Sequence, residues 1–370
     1  MNWEEIYKKI EEKLTAECER NDHKIPYISQ NGSYKNMREE TPSWWTNGFW
    51  AGLLWQMYHA GKNPLFRETA EQSETVMDQI LEDFVGLHHD VGFQFLLSSA
   101  ANYRLTGNER AKVRALHAAT LLAGRFNPNG NFIRAWNKKD QNNMTGWIII
   151  DCLMNLPLLY FASEELDDPR FAEIANRHAD TAMRVLQRPD GSCNHIAVLD
   201  PVTGEVQEKP AGQGYGKGSS WSRGQAWAIY GFALAFAHTG NEDYLNAAKR
   251  TAHYFIANVT LTGNASLCDF RAPENPAYWD MSAAACAACG LLQLAELVPE
   301  LEKGLYYRHA ERILEALTEL CDFDPDTDGI LQKCTVAYGR AEDTHASIIY
   351  GDYFYTEAVL RLINKSFLIW

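Results

Sequence analysis

No run of about twenty uncharged apolar residues occurs in the 370-residue chain, which argues against a membrane-spanning helix. The opening residues Met1-Asn2-Trp3-Glu4-Glu5-Ile6-Tyr7-Lys8-Lys9-Ile10 lack the apolar core of a signal peptide and read as an amphipathic helix, so a soluble, cytoplasmic protein is expected. Basic charge is scarce: 34 Lys and Arg stand against 48 Asp and Glu, a net charge of −14, with no long basic run. Nucleic acid and anionic membrane surfaces are therefore repelled on average, and an acidic ligand has to be met by a locally placed cation. The eight cysteines lack the regular spacing of a disulfide framework, so reduced thiols are expected. The one close pair, Cys286 and Cys289, sits in an Ala-rich helical run with no second pair beside it, and neither a metal nor a redox role is expected of it.

What the chain does have is hydrophobic periodicity, in a composition that is 46% hydrophobic. Period-3.6 patterning predicts twelve helices, over 4–20, 46–60, 65–83, 93–106, 109–125, 145–163, 169–187, 222–239, 242–258, 281–297, 303–320 and 345–364. Four short joints resemble one another: His59-Ala60-Gly61-Lys62-Asn63, Leu105-Thr106-Gly107-Asn108, Leu166-Asp167-Asp168-Pro169 and His238-Thr239-Gly240-Asn241. In each, Gly is expected to supply a left-handed C-terminal cap, and Asn, Asp or Pro to start the next helix. The unit is a helical hairpin used about six times. The helix before each joint is apolar nearly all round and the one after it carries an apolar stripe, which implies an inner layer wrapped by an outer one. Six hairpins close into an all-α (α/α)6 barrel. An open solenoid needs polar terminal units, whereas the final segment Tyr350 to Trp370 is aromatic and apolar. No linker divides the chain, so residues 1–370 are read as a single domain. Its long connections, 86–92, 127–145, 189–222, 260–280 and 322–346, are where chemistry is expected to gather.

Two aspartates stand out there. Asp90 follows His88 and His89, and Asp151 lies in the apolar run Trp147-Ile148-Ile149-Ile150-Asp151-Cys152-Leu153-Met154. A carboxyl in an apolar helical run is costly to ionise and can donate a proton near neutral pH. Trp44, Trp45, Trp50, Trp136, Trp147, Trp221, Trp227 and Trp279 fall at or near inner-helix starts, a density that suits stacking on sugar rings. Trp50 and Trp55 are read as core, and Trp45, Trp221 and Trp227 as pocket-lining. Gly212, Gly214, Gly216 and Gly218 alternate before a helix without matching a phosphate loop, and read as a flexible lip. Arg223 enters an apolar helix and has to pair with a carboxylate of the protein or of a ligand. His195, His88 and His89 could be metal ligands, but adjacent histidines cannot both face one centre from a regular element and no metal-ligand spacing occurs, so no metal or cofactor is expected. Asp280 reads as a helix N-cap and Asp352 as structural.

Five segments in order, Trp45-Thr46-Asn47-Gly48-Phe49-Trp50, His88-His89-Asp90-Val91-Gly92-Phe93, Ile149-Ile150-Asp151-Cys152-Leu153-Met154-Asn155, Trp221-Ser222-Arg223-Gly224-Gln225-Ala226-Trp227 and Tyr350-Gly351-Asp352-Tyr353-Phe354-Tyr355, resemble the unsaturated glucuronyl hydrolases of glycoside hydrolase family 88. The resemblance implies an (α/α)6 barrel that releases a 4,5-unsaturated uronic acid from the non-reducing end of oligosaccharides made by polysaccharide lyases. It implies Asp151 as general acid and base and Asp90 as its carboxylate partner, with Trp45, His89, His195, Gln213, Arg223 and Trp227 lining the sugar subsite beside Trp221. A Ser-x-x-Ser-x-Lys run associated with sulfate-preferring members is absent, which points to unsulfated or differently sulfated disaccharides. The assignment of Arg223 to the sugar carboxylate is a physical expectation, since a bidentate cation would answer the unfavourable global charge.

The implied substrate is an enol ether, so protonation at C4 activates it and water adds at C5. The carboxyl-spacing rule of ordinary glycosidases then does not transfer. Two close carboxyls would titrate as a coupled pair, and activity is expected to peak at mildly acidic pH. The expected partner is the unsaturated oligosaccharide alone, for a monomer or homodimer. The competing readings are an unsaturated rhamnogalacturonyl hydrolase, a sugar epimerase on the same barrel and a non-enzymatic helical scaffold.

Overall fold

The computed structural model describes residues 1–21, 23–139, 141–340 and 343–370. Among them, twelve helical segments form two concentric layers. The inner ones are Asn47–Gly61, 91–106, 150–166, Ser222–Thr239, Met281–Leu297 and Ile349–Leu362. The outer ones are Trp3–Arg20, 64–83, Glu109–Ala123, Pro169–Leu186, Glu242–Thr260 and Glu300–Thr318. The sequence dictates the division. Residues 222–235 are buried without a break, whereas Glu300–Thr318 buries only Tyr306, Ala310, Ile313, Leu314 and Leu317, a single stripe at helical spacing.

Inner neighbours touch all the way round: 47–61 meets 91–106, then 150–166, 222–239, 281–297, 349–362 and 47–61 again. The ring is closed, an (α/α)6 barrel. Its tightness depends on glycine. A Cβ at Gly290 would lie 3.0 Å from the main-chain nitrogen of Tyr230, and one at Gly92 would lie 2.5 Å from Cα of Asn155. Neither backbone could yield without parting two inner segments.

The hairpin joints keep the expected logic with different residues in the left-handed position. Gly107 and Gly240 adopt it at φ 74° and 68°, but Lys62 and Asp167 do so at the other two joints. Asn63, Asn108, Asp168 and Asn241 each accept a main-chain N–H of the following helix, as N-caps do. After the last helix the tail turns back under the ring. The Gln56 side chain pairs with the main chain of Phe367 in both directions, and Trp370 packs against Phe93, Tyr230, Tyr353 and Phe354 from three inner segments. Trp370 thus fills the barrel axis.

The region expected to be helical from 145 differs most. Trp147–Ile149 is a strand, Ile150–Met154 a 3-10 turn, and a regular helix begins only at Pro157. The β-branched Ile148 and Ile149 pair with Ala197 and Ile196 of the neighbouring strand. Asp151 therefore sits in a turn between strand and helix, where its side chain can face the mouth of the ring. Two further small sheets lie in the long connections, including 26–30 with 33–36 and 347–348, which ties the first outer helix's exit to the start of the last inner helix. All eight cysteines are free thiols. No helix among the described residues is long and apolar enough to cross a membrane.

Candidate active site

Asp90 closes the loop that follows residue 83 and stands just before the helix Val91–Phe95; its loop is held by the N–H of His89, which donates to the Ala135 carbonyl at 3.1 Å. Asp151 is placed by its strand, through the N–H of Ile150 donating to the His195 carbonyl at 3.0 Å. Both carboxylates are buried, at 7% and 8% exposure, from positions 61 residues apart in sequence.

One side chain joins them. Asn155 Nδ2 donates to Asp90 Oδ1 at 3.1 Å and to the Asp151 carbonyl at 3.2 Å, while its Oδ1 accepts the N–H of Phe93 at 2.8 Å. The absence of a Cβ at Gly92 is what lets Asn155 come this close. Burial pushes the Asp90 carboxyl well above the usual carboxylate range, and the charge of Asp151 pushes it the same way; the Asn155 amide and the Arg125 guanidinium pull against them. A hydrogen bond to a charged group is worth about 1.5–3 kcal/mol, so Asn155 favours the ionised form of Asp90 against the larger effect of burial.

His195 faces Asp151. Its Nε2 lies 3.3 Å from Asp151 Oδ2, its Nδ1 accepts the N–H of Gln213 at 3.0 Å, and its ring sits 4.4 Å from that of Trp221. A cavity bounded by Arg188, Asn194, His195, Ser219 and Trp221 opens beside it. The glycine-rich segment that was expected to be a flexible lip is fastened at both ends. Asp269, a residue the sequence reading passed over, accepts the N–H groups of Tyr215, Ser220 and Arg271 at 2.9–3.0 Å.

His88 Nδ1 and His89 Nε2 each lie 3.4 Å from one oxygen of Asp90. The three donor atoms fall within 4.8 Å of one another, a convergence that was not expected of adjacent histidines in a regular element. They do so because they sit in a loop and not in a regular element. Burial and the charge of Arg125 push His88 down to about 4, and burial, with His88 and Arg125 beside it, pushes His89 well below the usual imidazole range, so both are neutral near pH 7. That same Arg125 charge works against a second cation here. Neither ring nitrogen of the fully buried His89 has a hydrogen-bond partner.

The remaining expected site residues differ in how much surface they leave open. Arg223 is 1% exposed and is committed inward: its guanidinium pairs with Asp280 and donates to the carbonyls of Thr335 at 2.8 Å and Val336 at 2.6 Å, with its face over Trp221 and Tyr350. It has a carboxylate of the protein in place of one on a ligand. Asp280, expected to be a helix cap, makes no cap bond and serves as this counter-ion, also accepting the Ser282 hydroxyl and the Thr335 N–H. Trp227 has no exposed surface and packs between Phe93 and Phe354, so it supports the floor and presents no face to solvent. Trp221 is 2% exposed; Trp45 alone of the three is half-buried, stacked on Tyr350 with ring centres 5.4 Å apart. Gln213 uses its side chain to donate to the Val336 carbonyl at 2.7 Å. Asp352 is structural, accepting the Tyr34 hydroxyl and the Leu331 N–H. Trp50 and Trp55 are fully buried, as expected of core residues.

Comparison with known proteins adds an independent line. A model of Glycosyl Hydrolase Family 88 matches residues 17–360. The unsaturated glucuronyl hydrolase of Bacillus sp. (strain GL1) is 37% identical over 348 residues, 92% of this chain and 91% of the relative. An unsaturated chondroitin disaccharide hydrolase of Streptococcus pneumoniae is 30% identical over 346 residues, 88% and 83% of the two chains. The crystal structure of the Bacillus sp. GL1 unsaturated glucuronyl hydrolase, described as responsible for the degradation of glycosaminoglycan, superimposes with a TM-score of 0.92 at 34% identity over 97% of this chain and 96% of that one.

Proposed function

This chain belongs to glycosyl hydrolase family 88, and from that membership we propose that it releases a 4,5-unsaturated uronic acid from the non-reducing end of lyase-generated oligosaccharides, glycosaminoglycan-type disaccharides among them, with residues 1–370 acting as one catalytic domain. The observation that carries the reading is the pair of buried acids, Asp90 and Asp151, tied together by Asn155, which donates to the carboxylate of the first and to the main-chain carbonyl of the second. Their role follows from the chemistry of such a substrate. Its C4=C5 bond is conjugated to the ring oxygen, so a proton delivered to C4 places positive charge on C5 and that oxygen. Asp151, protonated, is the donor in this reading. As a carboxylate it then deprotonates the water that adds at C5. The hemiketal so formed opens without further help, and nothing has to protonate the glycosidic oxygen or attack C1. Asp90 is the carboxyl partner of Asp151 in this reading, its pKa pushed upward by burial and by the charge of Asp151, with Asn155 and Arg125 pulling against that push. Trp45, His89, His195, Gln213, Trp221 and Trp227 shape the subsite, directly or through the floor; Arg223 shapes it by holding the 335–336 segment.

Hydration destroys the conjugated chromophore. Incubation with a panel of unsaturated disaccharides, unsulfated and sulfated, is expected to remove their ultraviolet absorbance in step with release of the second sugar. Sugar release with the absorbance intact would contradict the reading, and an epimerase would leave both untouched.

A further inference from the structure

We propose that the Gly212–Gln213 peptide is a tautomer clamp, which fixes neutral His195 with its proton on Nε2, facing Asp151. A main-chain N–H can only donate, so the nitrogen that receives it, His195 Nδ1 at 3.0 Å from Gln213 N, carries no proton. The proton of the neutral ring is then on Nε2, 3.3 Å from Asp151 Oδ2. Both of those atoms are buried and neither has a hydrogen-bond partner, so each is the nearest one available to the other. The pair is within reach but not fully aligned, as catalytic contacts often are before substrate tightens them.

The clamp needs glycine for two reasons. Gly212 has φ +64°, and a Cβ there would fall 2.0 Å from His195 Nδ1, in the space the imidazole occupies. It is also braced from behind. Gln213 Nε2 and Arg223 Nη2 donate to the same carbonyl, that of Val336, at 2.7 and 2.6 Å, and the N–H of Tyr338 returns to the Gln213 carbonyl at 2.9 Å. Asp269 fastens the rest of the glycine-rich segment through Tyr215 and Ser220. The buried Arg223–Asp280 pair thereby acts on the site through Val336, Gln213 and His195, as a positioning group. The inference rests on the hydrolase reading for its purpose: once Asp151 has given up its proton, the Nε2–H is the donor that holds the resulting carboxylate in place for the water step.

Nitrogen-15 spectra of histidine-labelled protein test it, with the His195 signals identified by their loss in His195→Gln. At pH 7 the wild-type ring is expected to show a protonated Nε2 and an unprotonated Nδ1; a proton on Nδ1, or rapid averaging of the two nitrogens, overturns the proposal whatever any variant does. Gly212→Ala is expected to blur that pattern and lower kcat at least about tenfold with KM changed less than about threefold, a mis-set histidine tautomer costing up to about 10⁴-fold in the serine-protease triad. A Gly212→Ala enzyme that folds and keeps wild-type kcat also overturns it. The spectrum needs no turnover, so an Nε2–H ring in a protein inert toward unsaturated disaccharides would sink the hydrolase reading alone.

Discussion

Asp151→Asn is expected to lower kcat on an unsaturated disaccharide by at least about 10³-fold while the dissociation constant changes less than about threefold. The size follows from the double duty assigned to one side chain: a positioned acid or base contributes about 10²–10⁴-fold, and here the same carboxyl serves in both halves of the reaction. The amide keeps the volume of the carboxyl and turns its oxygen toward His195 Nε2, so the loss is chemical and not one of shape. Absorbance decay gives kcat and calorimetric titration of the inactive variant gives binding. A variant retaining more than about a tenth of wild-type turnover would remove Asp151 from the role and leave Asp90 as the acid.

Arg223→Met is expected to destabilise the fold by about 3–5 kcal/mol, because it strands the Asp280 carboxylate at 0% exposure without its counter-ion. Urea denaturation of the two proteins measures it. Asp280→Leu added to Arg223→Met is expected to recover most of the loss, since a buried ion pair replaced whole by apolar groups is often neutral to stability. The result separates two accounts of the arginine. A residue that binds the sugar carboxylate would show its loss mainly in KM with stability untouched.

The ring was legible because its causes are local. Residues 226–235 are apolar nearly all round, outer helices carry one stripe, and Gly107-Asn108 and Gly240-Asn241 mark the joints, each signal lying within a few residues of what it marks. The 3-10 turn at Asp151 was not, because Ile148-Ile149-Ile150 satisfies a helical apolar run as well as a buried strand, and only its pairing with residues 196–198 decides between them. The site's polar wiring was hidden for the same reason at longer range. Asn155 and Asp90 lie 65 residues apart, Arg223 and Asp280 57 apart, and a polar residue leaves no trace in sequence of the partner it will meet. Asn155 did carry a weak signal, a lone amide in Leu153-Met154-Asn155-Leu156 four residues after the acid. Asp269 and the clamp at Gly212 carried none, since their work is done by main-chain N–H groups that every residue but proline possesses.

Reaction of an unsaturated disaccharide in heavy water, stopped early before keto–enol exchange, examines the chemistry at its first bond. Proton delivery from a fixed carboxyl to C4 predicts a released uronic acid carrying one deuterium, on a single face of the former C4. Release of a sugar with no deuterium at that carbon, its double bond still in place, would contradict the account.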